Sequence, residues 1–463
     1  PGSWILDPFC ADPFTDLELA RSGYRVLVTA NNPVAAFILE VLASAPSATE
    51  LGDALQALAG LRMSDGERFE DYICSFYKNM NSKVAVRNCR EYNPDEVYTH
   101  ISDIYDRCNG PDVNNKKVLL KPNILNDVDP LRCVTTHPVV VEAMIRFLQE
   151  RNATVLVGDS PGIHFRGFKS EKSGIYQVCQ KTGAKWIDFM KDQSEMPLGS
   201  RKIKIASVAK EADLIISLPK LKTHQLTFFT GAIKNTLGLV PGFAKTKQHA
   251  LHPDRESFSA FLVDLTEAVA PHFYLMDGIM GMEGDGPGQG IPVNTGVLIG
   301  SANPLAVDII ACTIAGYDPM IIPTNSIAVG RGLWLKDVKD IDYDGPILES
   351  LVKKDFKRVA YAQTGNVVSR FIMRKLKSVR SLQVKPVFIH DKCIGCKECI
   401  KICSQNALAM HPVKKNWVVL TDKKCIRCFC CSEVCQSNAI QVRRDFFGYS
   451  FLRKSYSAVR RLF

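Results

Sequence analysis

No stretch of this 463-residue sequence reaches ~18 uncharged apolar residues, which excludes a membrane-spanning helix. The chain opens on neither methionine nor the basic and apolar pattern of a secretory leader. Its start, Pro-Gly-Ser-Trp, is expected to reflect a missing or joined reading frame, and a cytoplasmic location is expected. With 46% hydrophobic and 23% charged residues, the composition excludes a mostly disordered, collagen-like or coiled-coil chain. The length fits two to four folded domains. Positive charge is scarce over most of the sequence: residues 1–350 carry 34 Lys+Arg against 42 Asp+Glu. Residues 351–463 carry 24 against 6, so the net charge of +10 belongs to the C-terminal quarter. A globally basic, nucleic-acid-binding reading is therefore misleading, and no specific nucleic-acid partner is expected.

Sixteen cysteines are divided as unevenly as the charge. Seven are scattered between Cys10 and Cys312 and read as reduced core thiols. Nine crowd into 393–435 as two runs of one spacing: Cys393-x2-Cys396-x2-Cys399-x3-Cys403 and Cys425-x2-Cys428-x2-Cys431-x3-Cys435. In this bacterial ferredoxin pattern three close thiolates hold a [4Fe–4S] cube and the fourth crosses to the other cube. One cluster is accordingly assigned to Cys393, Cys396, Cys399 and Cys435, the other to Cys425, Cys428, Cys431 and Cys403. Zinc would favour close pairs separated by a longer stretch, and disulfides would need an oxidising compartment. The segment resembles two-cluster ferredoxin domains over 386–442, with short strands around 387–390 and 417–420. Ser404 and Gln436 stand where such domains usually have proline, and Cys430 is read as a bystander. Lys392, Lys397, Lys401, Lys423, Lys424 and Arg427 should raise the cluster potential and could guide an acidic electron donor.

From 83 to 350, apolar strands alternate with helical stretches, the α/β signature. Strands are expected over 117–121, 154–158, 213–218, 274–276 and 297–300, with a helix over 138–150 entered at Thr136 or His137. Polar, glycine and proline residues collect just past the strand ends, where open α/β sheets place ligands. The strings Val118-Leu-Leu-Lys-Pro-Asn123, Thr135-Thr-His-Pro138, Gly158-Asp-Ser-Pro-Gly162 and Leu218-Pro-Lys-Leu-Lys-Thr-His224 resemble one family of iron–sulfur proteins. So do Gly231-Ala-Ile-Lys-Asn235, Gly238-Leu-Val-Pro-Gly242, Gly281-Met-Glu-Gly-Asp-Gly-Pro287 and Asn303-Pro-Leu-Ala-Val-Asp308. The family is "domain of unknown function 362", and the resemblance covers 83–442. It implies a redox or iron–sulfur-dependent protein and names no reaction.

The same motifs point to an anion or metal-assisted site. Lys222, His224, Lys234 and His249 flank the glycine-rich segment 231–242, with His252 following in an expected loop. Glycines permit close backbone approach, lysines can hold carboxylate or phosphate, and histidines can move protons near neutral pH. Lys222, His224 and Lys234 are expected to converge on one anionic group while the clusters fold in a separate C-terminal module. The stretch weakly resembles the His, Gly-Gly-Ala-Lys and Pro-Gly pattern of nickel-pincer lactate racemases, and a shared cofactor is not expected. Segment 281–290 is too glycine-rich for a strand or helix interior and matches neither a Walker loop nor a dinucleotide fingerprint. Its amides could cradle an anion, and Glu283 and Asp285 could serve as acid and base. Asp159, Asp277 and Asp308 read as caps or turn stabilisers. The candidate catalytic set is Lys222, His224, Lys234, Asn235, Glu283 and Asp285.

Residues 1–77 are Ala/Leu-rich. Ile5-Leu-Asp-Pro-Phe-Cys10, Gly23-Tyr-Arg-Val-Leu-Val28 and Asn31-Asn-Pro-Val34 resemble the cofactor half of class I DNA methyltransferases. Ala11-Asp12-Pro13-Phe14 replaces the loop glycines, no carboxylate ends 26–29, and the catalytic Asn/Asp-Pro-Pro-aromatic motif is missing. A degenerate fragment that does not bind S-adenosylmethionine is expected. Residues 351–385 carry ten basic residues and one acid, and the tail 443–463 adds six basic residues with Phe446, Phe447, Tyr449, Phe451 and Phe463. Such a composition suits an acidic partner or an anionic membrane surface.

The expected architecture is an α/β central domain (83–350), a basic linker (351–385), an α+β two-cluster ferredoxin-like domain (386–442) and a basic aromatic tail, behind a short α/β fragment. The leading functional expectation is an iron–sulfur oxidoreductase relaying electrons between two [4Fe–4S] clusters and a small anionic substrate, supplied by a redox partner. A non-enzymatic carrier or iron–sulfur scaffold is the alternative, and a methyltransferase fusion a third. A carrier would need only ~60 residues, which favours an enzyme.

Overall fold

The computed structural model describes residues 4–7, 25–28, 82–162, 166–335, 337–359 and 384–444. The chain divides into two compact units, Pro1–Lys78 and Asn79–Phe463. In the first, strands β1 (Trp4–Asp7) and β2 (Arg25–Val28) pair in parallel. The rest of that fragment, most of the basic linker and nearly all of the tail lie outside the described residues.

The second unit is built on a mixed ten-stranded sheet. Its main path runs β14 (Asp342–Asp344), β3 (Lys83–Asn88), β13 (Ile291–Ser301), β12 (Phe273–Glu283), β9 (Leu214–Leu218), β4 (Lys117–Pro122), β5 (Thr154–Val157) and β6 (Lys185–Trp186). Strands β12, β9, β4, β5 and β6 are mutually parallel, while β13 runs antiparallel to both its neighbours. The period of two along each strand divides its side chains between opposite faces. Val118 and Leu120 join one apolar cluster with helices α1 (Pro94–Arg107) and α2 (Pro138–Gln149), whereas Leu119 joins another. Tyr274 and Met276 pack with helices α6 (Arg255–Val269) and α7 (Pro304–Ile314) on the other side. With both faces covered, the strands are buried and read as continuous apolar runs.

One element was hidden in the sequence. Residues expected to follow strand β9 form a strand of their own, β10 (Lys220–His224), parallel to β12 and antiparallel to β11 (Phe228–Thr230). All five of its residues are buried. The glycine-rich 281–290 is likewise strand at its start, since β12 runs through Gly281 to Glu283 before the turn into β13. The central region also holds the antiparallel pair β7 (Gln193–Leu198) and β8 (Arg201–Ala206) and, among other helices, α3 (Ile175–Thr182), α4 (Ala232–Asn235) and α5 (Phe243–Leu251). His249 therefore lies on a helix, with His252 at its C-cap, rather than in a loop.

The cysteine-rich segment forms two small antiparallel pairs, β15 (Val384–Phe388) with β18 (Ile440–Arg444) and β16 (Leu408–Met410) with β17 (Val418–Leu420). Between them lie the four-residue helices α8 (Glu398–Lys401) and α9 (Cys430–Glu433). This segment is not the separate module expected. Phe429 belongs to the large central core and Val384 and Val442 pack against it, because the segment alone offers few apolar side chains. No described helix is long and apolar enough to cross a membrane.

Candidate functional site

Parallel strands β4, β5 and β9 end at the same edge of the sheet, so Asn123, Asp159 and Pro219 border one crevice. Lys121 and Asp159 form a buried ion pair there at 2.9 Å. Lys121 also donates to Asn235 Oδ1 at 2.9 Å, an oxygen that accepts from Asn123 Nδ2 as well. Asn235 donates in turn to Ser217 Oγ, tying α4 to two strand ends. These bonds give Asn235 a structural part in the crevice. A Cβ at Gly238 would lie 1.9 Å from Asp159 Oδ1, and one at Gly231 would lie 1.9 Å from Asp308 Oδ1. These glycines make room for buried carboxylates of the protein.

The aspartates read as turn stabilisers are buried partners. Asp277 pairs with Lys220 at 2.7 Å, and Asp308 accepts from the N–H groups of Ala232 and Ile233 at the start of α4. Burial pushes the Asp308 carboxyl up to about 7 against the pull of those two amides. Such compensation is expected wherever a charge leaves water.

Lys222 and His224, one residue apart on the same face of β10, are both fully buried. Lys222 donates to Val134 O at 2.7 Å, and burial, reinforced by Lys234, drives its ammonium well below its usual range. His224 Nδ1 accepts from Leu226 N and Thr227 N, which leaves Nε2 as the N–H of the neutral ring. Nε2 lies 3.1 Å from a carboxylate oxygen of Glu433, on the helix between Cys431 and Cys435. Burial holds His224 down at about 4, while His224, Lys234 and His249 outweigh burial and hold Glu433 at about 2. At neutral pH a neutral imidazole faces a carboxylate.

Lys234, on α4, interacts with Glu433, Cys430 and Asp159 and has no hydrogen-bond or ion-pair partner among the described residues. Its burial lowers its ammonium too. From α5, His249 stacks on Phe258 and is pushed by burial to about 3, and partly buried Lys245 donates to the carbonyls of Ser160 and Pro161. Three buried polar atoms on the elements around this crevice lack a hydrogen-bond partner, Asn123 Oδ1, Thr135 Oγ1 and His249 Nδ1, while His224 Nε2 and Glu433 Oε1 have only each other. Each such group costs ~1–3 kcal/mol, so a concentration of them marks a site that a ligand or water satisfies.

Glu283 and Asp285 make no contact with this group. Glu283 accepts from Lys357 N at 2.8 Å and pairs with its ammonium, fastening 352–359 to the β12–β13 hairpin. Asp285 is exposed and accepts from Gln225. The hairpin loop expected to cradle an anion instead grips the cysteine-rich segment. Gln289 donates to Ser432 O and Oγ, Asn126 donates to Glu433 O, and Gly288 passes close to that same carbonyl.

The eight cysteines expected as cluster ligands gather in two apolar cavities. Cys403, Cys425, Cys428 and Cys431 line one, and Cys393, Cys396, Cys399 and Cys435 line the other. Backbone N–H groups of Ala407, Arg427 and Ala439 donate to the sulfurs of Cys403, Cys425 and Cys435. Burial first, then Cys396, Cys435 and Cys393, pushes the Cys399 thiol up to about 12. Four sulfurs crowded in an apolar pocket suit cationic iron, which binds them as thiolates. Cys430 is buried beside these ligands and also lines the first cavity.

Lys121, Lys245 and Glu433 escaped the sequence reading, and Asp159 was read there as a cap or turn stabiliser. A lysine inside Val-Leu-Leu-Lys was a usable signal for the first, because a buried lysine requires a partner. Glu433 was masked by the Cys431-x3-Cys435 spacing in which it sits.

The profile described as "Domain of unknown function (DUF362)" matches residues 118–313, and that of the "4Fe-4S dicluster domain" matches 392–439. The "Thylakoid-associated protein sll1697" of Synechocystis sp. (strain ATCC 27184 / PCC 6803 / Kazusa) is 34% identical over 219 residues, 47% of this chain and 68% of that protein. Among solved structures, the lactate racemase apoprotein from Thermoanaerobacterium thermosaccharolyticum is 14% identical with a TM-score of 0.35, over 50% of this chain and 56% of that one. A Thermotoga maritima protein is 16% identical with a TM-score of 0.30, over 44% and 55%. This chain spans little more than half the length of either structure. The ordered motifs of the central sheet, the cysteine runs and the extended match to the Synechocystis protein lead to one conclusion: the chain belongs to the DUF362 family and is an iron–sulfur protein with a C-terminal 4Fe–4S ferredoxin-type domain.

Proposed function

We propose that the protein binds two [4Fe–4S] clusters and is an oxidoreductase, relaying electrons between them and a small anionic substrate in the crevice. The observation that carries this reading is the contact between His224 and Glu433, which joins the buried cationic group to a helix flanked by cluster cysteines. Two cavities, each lined by four of the expected ligand cysteines in the crossed arrangement, support the count of two clusters. A [4Fe–4S] cube supplies or accepts one electron at a time. Lys234, unpartnered, would bind the anionic group of the substrate, with Lys222 adding positive potential from behind. The Nε2–H of His224 would donate a hydrogen bond to a bound molecule that draws it away from Glu433. Glu433 balances the nest's charge and fixes the imidazole. A separate redox protein would exchange electrons with the outer cluster, around exposed Cys396.

The test is made on anaerobically prepared protein. About eight iron and eight sulfide per chain are expected, with a brown colour bleached by dithionite. Lys234→Met and His224→Gln should keep the iron and visible spectrum but lose substrate-dependent reoxidation of the reduced clusters, screened with small carboxylates and phosphate esters. Full reoxidation in both variants would place the chemistry elsewhere, and a zinc-loaded, sulfide-free protein would refute the redox reading.

A further inference from the structure

A second group of metal-binding side chains lies away from the crevice and plays no part in the function proposed above. Cys89 directly follows β3, while Glu96 and His100 stand one turn apart on α1. One donor atom from each of the three lies within 4.8 Å of the other two. A point equidistant from all three is then within about 2.8 Å of each, against ~2.3 Å for zinc–sulfur and ~2.0–2.1 Å for zinc–nitrogen bonds. Side-chain movements of a few tenths of an ångström close that gap.

The backbone presenting these donors is held in place. Cys89 N donates to Gly296 O, and Asn294 holds the carbonyl of Arg90. Asn93 caps α1 by accepting from the amides of Asp95 and Glu96. Such fixing lowers the entropy cost of gathering ligands. The burial gradient also suits a metal site, since Cys89 is fully buried, the His100 side chain is 24% exposed and that of Glu96 46%. The ion thus has a path from solvent to the sulfur.

We propose that Cys89, Glu96 and His100 bind a zinc ion, with the fourth position open to water or an external ligand. One thiolate, one imidazole and one carboxylate form a borderline-soft donor set, which selects zinc over magnesium or calcium. Three protein ligands and one vacant position are the arrangement of exchangeable or catalytic zinc rather than of closed structural sites. Without metal, burial and then the Glu96 carboxylate keep the Cys89 thiol protonated, up to about 12. Zinc binding replaces that thiol proton and relieves the repulsion between sulfur and carboxylate.

The test uses iron-replete full-length protein, so that the cluster cysteines are already occupied, incubated with zinc chloride and freed of excess by gel filtration. One zinc per chain is expected, with a sulfur scatterer at ~2.3 Å in its X-ray absorption spectrum. Cys89→Ser and His100→Ala should each weaken zinc binding at least 100-fold while leaving iron content unchanged. Should Cys89→Ser fail to fold, His100→Ala on the surface of α1 decides the question by itself. Failure of the folded wild-type protein to retain zinc would overturn the proposal, as would zinc that survives in His100→Ala.

Discussion

Buried lysine is the residue-scale theme of this protein. Lys121, Lys220 and Lys222 rank among its largest fully buried side chains, and each has a different way of bearing its charge. Lys121 and Lys220 have carboxylates, whereas Lys222 has a carbonyl and the distant influence of Glu433. Asp277 is held on all sides, by Lys220, Tyr92 Oη and His137 N. Removing one member of a buried pair strands the other charge and typically costs ~3–5 kcal/mol. Lys220→Met should therefore lower the urea midpoint sharply, and adding Asp277→Asn should recover part of the loss. Equal midpoints for the single and double variants would show that charge stranding is not the cause.

At the scale of elements, helix α2 illustrates how one residue serves several ends. His137 caps it by accepting from Val139 N through its ring, stacks on Tyr92 at 3.5 Å, and is held by burial at about 4 rather than its ordinary 6.5. Because the folded state protonates at lower pH than the unfolded chain, the stability tied to this ring is complete above about 6.5. It is lost as pH falls towards 4, at up to ~1.4 kcal/mol per pH unit. His137→Asn keeps a strong capping residue and removes the titration. Its urea midpoint should fall less than the wild type's between pH 7 and 5, and parallel falls would remove His137 from the account. Elements such as α2, β4, β5 and β9 were legible in the sequence because apolar periodicity is a local property. Strand β10 was not, since Lys-Leu-Lys-Thr-His reads as polar until distant partners such as Asp277, and the carbonyl of Val134, bury it. The cysteine runs were legible for the opposite reason: their spacing is covalent and is read without the fold. Glu433 had no local signal, and its meaning appears only where two distant segments meet.

For the whole molecule, the meeting of those segments ties cluster and sheet into one structure. Phe429 lies in the central core, Gln289 and Asn126 hold the Cys430–Glu433 helix, and Val434 packs beside Gly162. Stripping iron by anaerobic chelation should therefore lower the melting temperature of the whole second unit and speed proteolysis of the β12–β13 hairpin loop. An unchanged melting curve for the central sheet would mean that the two segments fold independently. The helix bearing Glu433 is only four residues long, too short to persist on its own in water. Under the proposed cluster assignment Glu433 lies between Cys431, within that helix, and Cys435 just beyond it, ligands of different cubes. On that assignment, inserting iron and sulfide would pin the chain on both sides of Glu433. Cofactor insertion would then also firm the wall of the crevice that Glu433 forms.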